Sequence, residues 1–157
     1  MSAEENIKSE LESKFGFLAG KVRIDRPRRI FADVECNNFR QVIEHMAKNM
    51  NFYFICAITG LDEGEKLSFI YHLINDHGVV FSLKTGVPKA NPVMQTVTDI
   101  FPSAEYYERE VVDLFGAKLE GLPEGNRYPL TDDWPKDQFP LRKDWKTSSC
   151  EEGGVGL

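Results

Sequence analysis

The feature that most constrains the fold is residues 51–59, a run without charge whose apolar side chains occupy both alternating faces. Continuous apolarity over this length is typical of a strand covered on both sides, so we expect a central strand of a sheet. The preceding residues 39–50 repeat apolar side chains at helical spacing, and Asn38 is suited to cap that helix. A sheet with a helix packed on it is therefore the expected core.

The rest of the chain extends this pattern. Periodicity predicts three further helical stretches, at residues 4–15, 93–101 and 103–115. It also predicts four further strands, at residues 21–24, 29–34, 67–74 and 79–84. Ser103 is suited to cap the last helix and Gly116 to end it. The expected class is α+β: a mixed, mainly antiparallel sheet with helices packed on it, followed by an extended C-terminal arm.

The residues after Gly116 are rich in proline and glycine yet keep two tryptophans and several leucines. Such a segment is too long for a casual connection and too apolar to float in water, so it needs a surface to lie on. We expect that surface to belong partly to this chain and partly to another protein. The predicted organisation is a globular domain over 1–116, a docking arm over 117–146 and a disordered tail over 147–157.

Composition narrows the function. The formal net charge of −6 disfavours nucleic-acid binding, which needs a basic surface. No run approaches the roughly 18 apolar residues of a membrane-spanning helix, and the acidic start lacks a signal-peptide core, so the default compartment is cytoplasmic. The cysteines and histidines form no local metal-binding pair, so no metal or cofactor site is expected. These residues are Cys36, Cys56, Cys150, His45, His72 and His77.

Two charged segments stand out. On the helix 103–115, Arg109 is spaced to reach both Glu105 and Asp113, beside a predicted apolar face of Tyr107, Val111 and Leu114. In the arm, residues 132–135 and 139–145 place charges between aromatic side chains, which is typical of protein interfaces. The plainer alternative for the helix is a solvated row of ion pairs.

Paired carboxylates offer an enzymatic alternative that we do not favour. Glu108 and Glu110 point about 200° apart on a helix, which is unsuited to shared acid–base work. Asp132 and Asp133 lie on a loop without a nearby histidine in the sequence. No catalytic residue is therefore expected in this chain.

The two segments together resemble the 30-kilodalton subunit family of respiratory complex I, the NADH:quinone oxidoreductase, over residues 20–146. The first signature of that family stands here as Glu108-Arg109-Glu110, Asp113 and Gly116. The second stands here as Pro140-Leu141-Arg142-Lys143-Asp144.

This chain departs from the respiratory pattern at two places. Leu122 and Phe139 stand where respiratory members typically carry histidine. Residues 128–135 and the ending Asp144-Trp145 look more like the related subunit of membrane-bound energy-converting nickel–iron hydrogenases. The resemblance therefore favours the hydrogenase branch, with an NADH:quinone oxidoreductase as the alternative.

The resemblance implies a subunit that holds no redox centre and packs on the large subunit, which carries the nickel–iron site or the quinone cavity. A small iron–sulfur subunit lies nearby, and the complex sits on the cytoplasmic side of the membrane without insertion of this chain. A free-standing adaptor remains a third possibility. The expected interface residues are Glu108, Arg109, Glu110, Asp113, Gly116, Trp134, Pro140, Leu141, Arg142, Lys143, Asp144 and Trp145.

Overall fold

A computed structural model describes residues 2–147, so Cys150 and all but the first residue of the predicted disordered tail lie outside the described residues. The helices are α1 (Ala3–Lys14), α2 (Cys36–Asn49) and α3 (Ala104–Phe115), with a short 3-10 turn at Gly16–Leu18. The strands are β1 (Val22–Arg26), β2 (Arg29–Asp33), β3 (Phe52–Asp62), β4 (Lys66–Asn75), β5 (Val80–Pro88), β6 (Val93–Gln95) and β7 (Lys118–Glu120).

Five strands form the main sheet in the order β1-β2-β5-β4-β3. The pairs β1–β2, β3–β4 and β4–β5 are antiparallel, whereas β2 and β5 run parallel in a register that begins at Arg29 and Val80. The predicted α+β class and its mixed, mainly antiparallel sheet are confirmed, and β3, β4 and β5 form an antiparallel meander within it.

The prediction of a central strand at residues 51–59 is wrong. Because the hairpin of β1 and β2 adds to the sheet through β5, β5 lies in the centre and β3 at an edge. The register of β3 shifts between Phe52 and Phe54 and again between Ile55 and Ala57. These irregularities turn Tyr53 and Phe54 toward solvent, so the strand is apolar on both faces without being covered on both.

Three local predictions also need correction. Residues 93–95 are a strand that pairs in parallel with Lys118–Glu120, where a helical stretch was expected, because partners on β7 supply the backbone hydrogen bonds. The helix α2 starts before Asn38, with Glu35 at its N-cap. Ser103 holds the N-cap of α3 without a side-chain hydrogen bond, whereas Gly116 ends the helix at a φ of 70° as predicted.

The core lies between one face of the sheet and the helices α2 and α3. Phe69 and Tyr71 point to that face of β4; Tyr71 meets Phe39 of α2 with ring centroids 4.8 Å apart, and Phe69 meets Phe115 of α3 at 6.1 Å. Burying each such ring stabilises the fold by about 1.5–3 kcal/mol. This packing holds the end of α3 above β3, where the arm begins.

Candidate docking site

The two signature segments meet at the C-terminal end of α3. Arg142 Nε donates a hydrogen bond of 2.6 Å to the Phe115 carbonyl, and the Leu141 amide donates to the Leu114 carbonyl at 3.1 Å. The Arg142 guanidinium also lies 4.6 Å from the centre of the Phe139 ring. A helix ends with unsatisfied carbonyls, so a cation placed there is favourable. The arm is thereby attached to the end of its own helix.

Gly116 makes this attachment possible. Its positive φ suits glycine, and a methyl group there would lie 2.6 Å from the Phe139 ring and 2.7 Å from Arg142. The glycine of the first signature therefore serves the docking of the second.

Asp113 holds a second point of the arm. Its carboxylate accepts hydrogen bonds from Arg127 Nε at 2.9 Å and from the Leu130 amide at 3.1 Å. The predicted pairing of Asp113 with Arg109 is therefore wrong. Arg109 binds Glu105 at 2.8 Å, as predicted, and turns to the Pro123 carbonyl at 2.6 Å, because the folded arm offers it a second acceptor.

Glu108 lies inside the core, with none of its surface exposed. Its carboxylate accepts hydrogen bonds from the Val97 amide at 3.0 Å, from Tyr71 Oη at 3.2 Å and from the Thr96 hydroxyl. Burial raises the pKa of Glu108, while the bond from Thr96 acts in the opposite direction. The side chain joins α3 to β4 and to the segment after β6, so it organises the site from within.

The predicted apolar face of α3 is confirmed, since Val111 is buried and Tyr107 and Leu114 pack against the core, but two carboxylates are buried as well. The buried residues of the helix are Ala104, Glu108, Val111, Asp113 and Phe115. Tyr107 and Leu114 are only partly buried, and Glu110 is partly exposed. Tyr106 points outward and meets Tyr128 of the arm with ring centroids 5.6 Å apart. The outer side of α3 and the arm thus share one surface.

Asp62 and Lys89 anchor the last part of the arm, and sequence reasoning missed both. The Asp62 side chain, 1% exposed, accepts from Lys89 Nζ and the Lys143 amide, each at 2.8 Å. Lys89 also binds Asp144 at 2.9 Å. The bond from Lys89 is the main reason that the pKa of Asp62 lies well below its usual range. The sequence feature that could have indicated this anchor is the single carboxylate, Asp62, at the end of an otherwise uncharged strand.

The tryptophans close the arm on itself. Trp134 and Trp145 lie 5.9 Å apart between ring centres, and both indole nitrogens donate to Gln138, to its carbonyl and its side-chain oxygen respectively. Leu141 remains 52% exposed, beside a partly buried Pro140. We call the exposed side of α3 and the arm, marked by Tyr106, Tyr128 and Leu141, the arm surface.

A cavity of about 310 Å³ opens between α3 and the arm. Its apolar walls include Val112, Leu122, Tyr128 and Phe139, and Lys136 also lines it. Apolar walls next to charged groups are suited to an anchoring side chain of another protein. Within residues 2–147, no group of three or more His, Cys, Asp or Glu side chains is placed to hold a metal ion.

The fold is an α+β domain whose C-terminal arm is held on the end of its own last helix and leaves apolar side chains exposed. The chain belongs to the family described as respiratory-chain NADH dehydrogenase, 30 Kd subunit, whose model matches residues 32–151. The resemblance seen in the two signatures is thus confirmed.

Relatives come from several kinds of complex. The C subunit of the F(420)H(2) dehydrogenase of Methanosarcina mazei is 32% identical over 93% of each chain. Membrane-bound hydrogenase subunit beta of Pyrococcus furiosus is 37% identical over 54% of this chain and 51% of its own length. One protein of the membrane-bound sulfane sulfur reductase, an archaeal respiratory membrane complex of known structure, superimposes with a TM-score of 0.83 at 30% identity, covering 94% of this chain and 88% of that one.

Both predicted branches are represented among these relatives, since the C subunit of the NADH-quinone oxidoreductase of Moorella thermoacetica is 28% identical over 96% of this chain and 99% of its own length. The choice between the branches stays a prediction. Across the described part of the chain, none of the helices has both the length and the apolarity needed to span a bilayer.

Proposed function

We propose that this chain is a non-catalytic subunit of a membrane-bound redox complex and docks on the large catalytic subunit through the arm surface. The observation that carries the proposal is the convergence of the two signatures, in which Arg142 caps the end of α3 beside Gly116. A subunit that binds only the folded, cofactor-loaded partner stabilises it by mass action. The chain contributes shape and adhesion, and the redox centres belong to its partners.

The charged and the apolar groups at the site have different roles. Arg127 Nε donates a hydrogen bond to Asp113 and Arg142 Nε donates one to the Phe115 carbonyl, both within the chain. They therefore shape the arm, and a partner meets mainly the outward Tyr106, Tyr128 and Leu141. Aromatic side chains at the centre of a patch are typical of residues that dominate binding energy.

The finer assignment is part of the proposal. We place the chain in the hydrogenase branch, on residues 128–135 and the ending Asp144-Trp145, beside a small iron–sulfur subunit on the cytoplasmic face of the membrane. A dehydrogenase complex is the second candidate, favoured by the relative from Methanosarcina mazei that aligns over 93% of both chains. Hydrogen evolution or NADH or F420H2 oxidation by the purified complex distinguishes the two.

Affinity purification of the tagged chain from native membranes tests the docking. Arg142→Gln is expected to reduce recovery of the large subunit, identified by mass spectrometry, about tenfold, as loss of about 1.4 kcal/mol of binding does. Arg23→Gln is the matched control, because Arg23 lies 4.7 Å over the Phe31 ring at the opposite edge of the sheet. Recovery with the wild type of no redox subunit, or equal recovery with both variants, contradicts the proposal.

A further inference from the structure

The outer edge of β3 is long and uncharged. This strand spans 11 residues, carries no charged side chain from Phe52 to Leu61, and lies last in the sheet order. Among residues 2–147, no other strand pairs with that side of it. An apolar edge with unpaired amides and carbonyls is a template for another strand, and proteins usually protect such edges with charge, proline or cover.

Half of this edge is also regular enough to accept a strand. The two register irregularities of β3 lie before Ala57. From Ala57 to Asp62, six consecutive residues pair with the run from His72 to Leu67 of β4 without interruption. A bulge bends a strand away from a new neighbour, whereas an unbroken ladder presents its outer groups in line. The receptive part of the edge is therefore Ala57 to Leu61.

This part of the edge adjoins the arm. Asp62, the last residue of β3, holds the Lys143 amide of the arm at 2.8 Å. The Phe115 ring at the end of α3 packs directly on Gly60. The anchored part of the arm and the end of α3 therefore both lie against this half of β3.

We propose that the edge of β3 from Ala57 to Leu61 binds an extended, uncharged segment of the large partner subunit as a sixth strand of the sheet. The inference rests on the proposed function and names the way in which the partner is held. Backbone hydrogen bonds supply affinity in such strand addition, and the exposed Leu61 supplies an apolar contact. A second copy of this chain is disfavoured as the occupant, because each copy carries a net charge of −6.

Lysine on an edge strand opposes strand addition, so Leu61→Lys tests the proposal. Ile24→Lys is its matched control, because Ile24 lies on the opposite edge strand β1 and both side chains are 37% exposed. The tagged full-length variants are purified from native membranes, and thermal unfolding of each variant confirms that it is folded. We expect recovery of the large subunit to fall about tenfold for Leu61→Lys and to stay at the wild-type level for Ile24→Lys.

Hydrogen exchange provides the second readout. Peptides covering 57–61 are expected to exchange at least tenfold more slowly in the purified complex than in the free chain, while peptides covering β1 stay unchanged. Recovery of the large subunit without protection of 57–61 overturns strand addition and leaves the proposed function intact. Protection of 57–61 in a dimer of the free chain shows a second copy on the edge and overturns the proposal. Failure of the wild type to recover any large subunit overturns the proposed function itself.

Discussion

The two edges of the main sheet are built in opposite ways. β1 has five residues, three of them charged, and its Arg23 and Asp25 form an exposed ion pair at 3.6 Å. The hairpin that contains β1 is tied to α1, since Glu4 accepts the Arg28 amide at 2.7 Å. β3 is more than twice as long, is uncharged over ten residues and, within residues 2–147, pairs with no strand along its outer side.

This difference leaves only one edge of the sheet suited to pairing with another chain. A short, charged strand next to a helix cannot readily pair with another chain, whereas a long apolar edge can. The arm is anchored at the end of β3, so both features suited to a partner lie on the same side. The first two of the following predictions compare a group of β3 with a matched group on the β1 side of the sheet, and the third compares two carboxylates in the turn after β3.

The largest effect is expected for Asp62→Asn. A hydrogen bond to a charged group contributes about 1.5–3 kcal/mol, and the variant weakens the bonds from Lys89 and Lys143, so we expect unfolding free energy to fall by about 3 kcal/mol. Asp25→Asn is expected to change it by less than about 0.5 kcal/mol, because both members of that pair are exposed. Urea denaturation measures both; equal effects would show that the two edges are anchored alike.

Gly60→Ala is expected to have the next largest effect. A methyl group at Gly60 overlaps the Phe115 ring, and forced overpacking costs about 2 kcal/mol. Gly16→Ala, in the 3-10 turn between α1 and β1, is the control, since nothing lies within 4 Å of the added carbon. If denaturation midpoints show no difference between the two, α3 does not press on the β3 edge as described.

The smallest expected effect is on the pH dependence of stability and concerns Glu63. Glu63 follows β3 and binds Lys84 at 2.7 Å, and this contact, followed by the bond from Ser68, lowers its pKa from 4.5 to about 2. A carboxyl with a lowered folded-state pKa stabilises the fold above the unfolded value and loses that contribution as pH falls. We expect Glu63→Gln to remove about 1 kcal/mol of stability at neutral pH and to flatten the decline between pH 4.5 and 2.

Stability curves of Glu63→Gln and Glu65→Gln from about pH 2 to pH 7 provide the measurement. Glu65→Gln removes a neighbouring charge and leaves the contacts of Glu63 in place. An identical acid profile for wild type and Glu63→Gln would contradict the assignment of Lys84 and Ser68 as the groups that hold this carboxylate.

Much of the fold followed from local pattern. The stripe of α2 predicted a helix whose Phe39, Val42, Ile43 and Met46 are indeed buried, because a helical period of apolar residues has one face to bury. The turn at 75–78 was also predictable, since the Asn75 side chain accepts the amides of His77 and Val79. The position of β3 was not, because apolarity on both faces describes an exposed edge strand as well as a covered central strand.

The site, like the fold, was predictable from the sequence only in part. The two signatures marked Arg109, Gly116 and Arg142. Helical spacing predicted the Glu105 partner of Arg109, but the other partners are carbonyls and a ring that no residue pattern specifies. Asp113 pairs with Arg127 in the arm and not with Arg109 on its own helix. Competition between near and distant partners is decided only when the arm lies on α3.

By itself, the sequence determined the three long helices, the strands of the meander, the family and the two signature segments, since these depend on periodicity and on residue types at short spacing. The tertiary structure alone decided that β2 joins β5, that β3 ends the sheet, and that Asp62 holds an amide 81 residues away. Those contacts depend on which distant surfaces bury the most apolar area and satisfy the most polar groups together, and such pairing leaves no periodic trace along the chain.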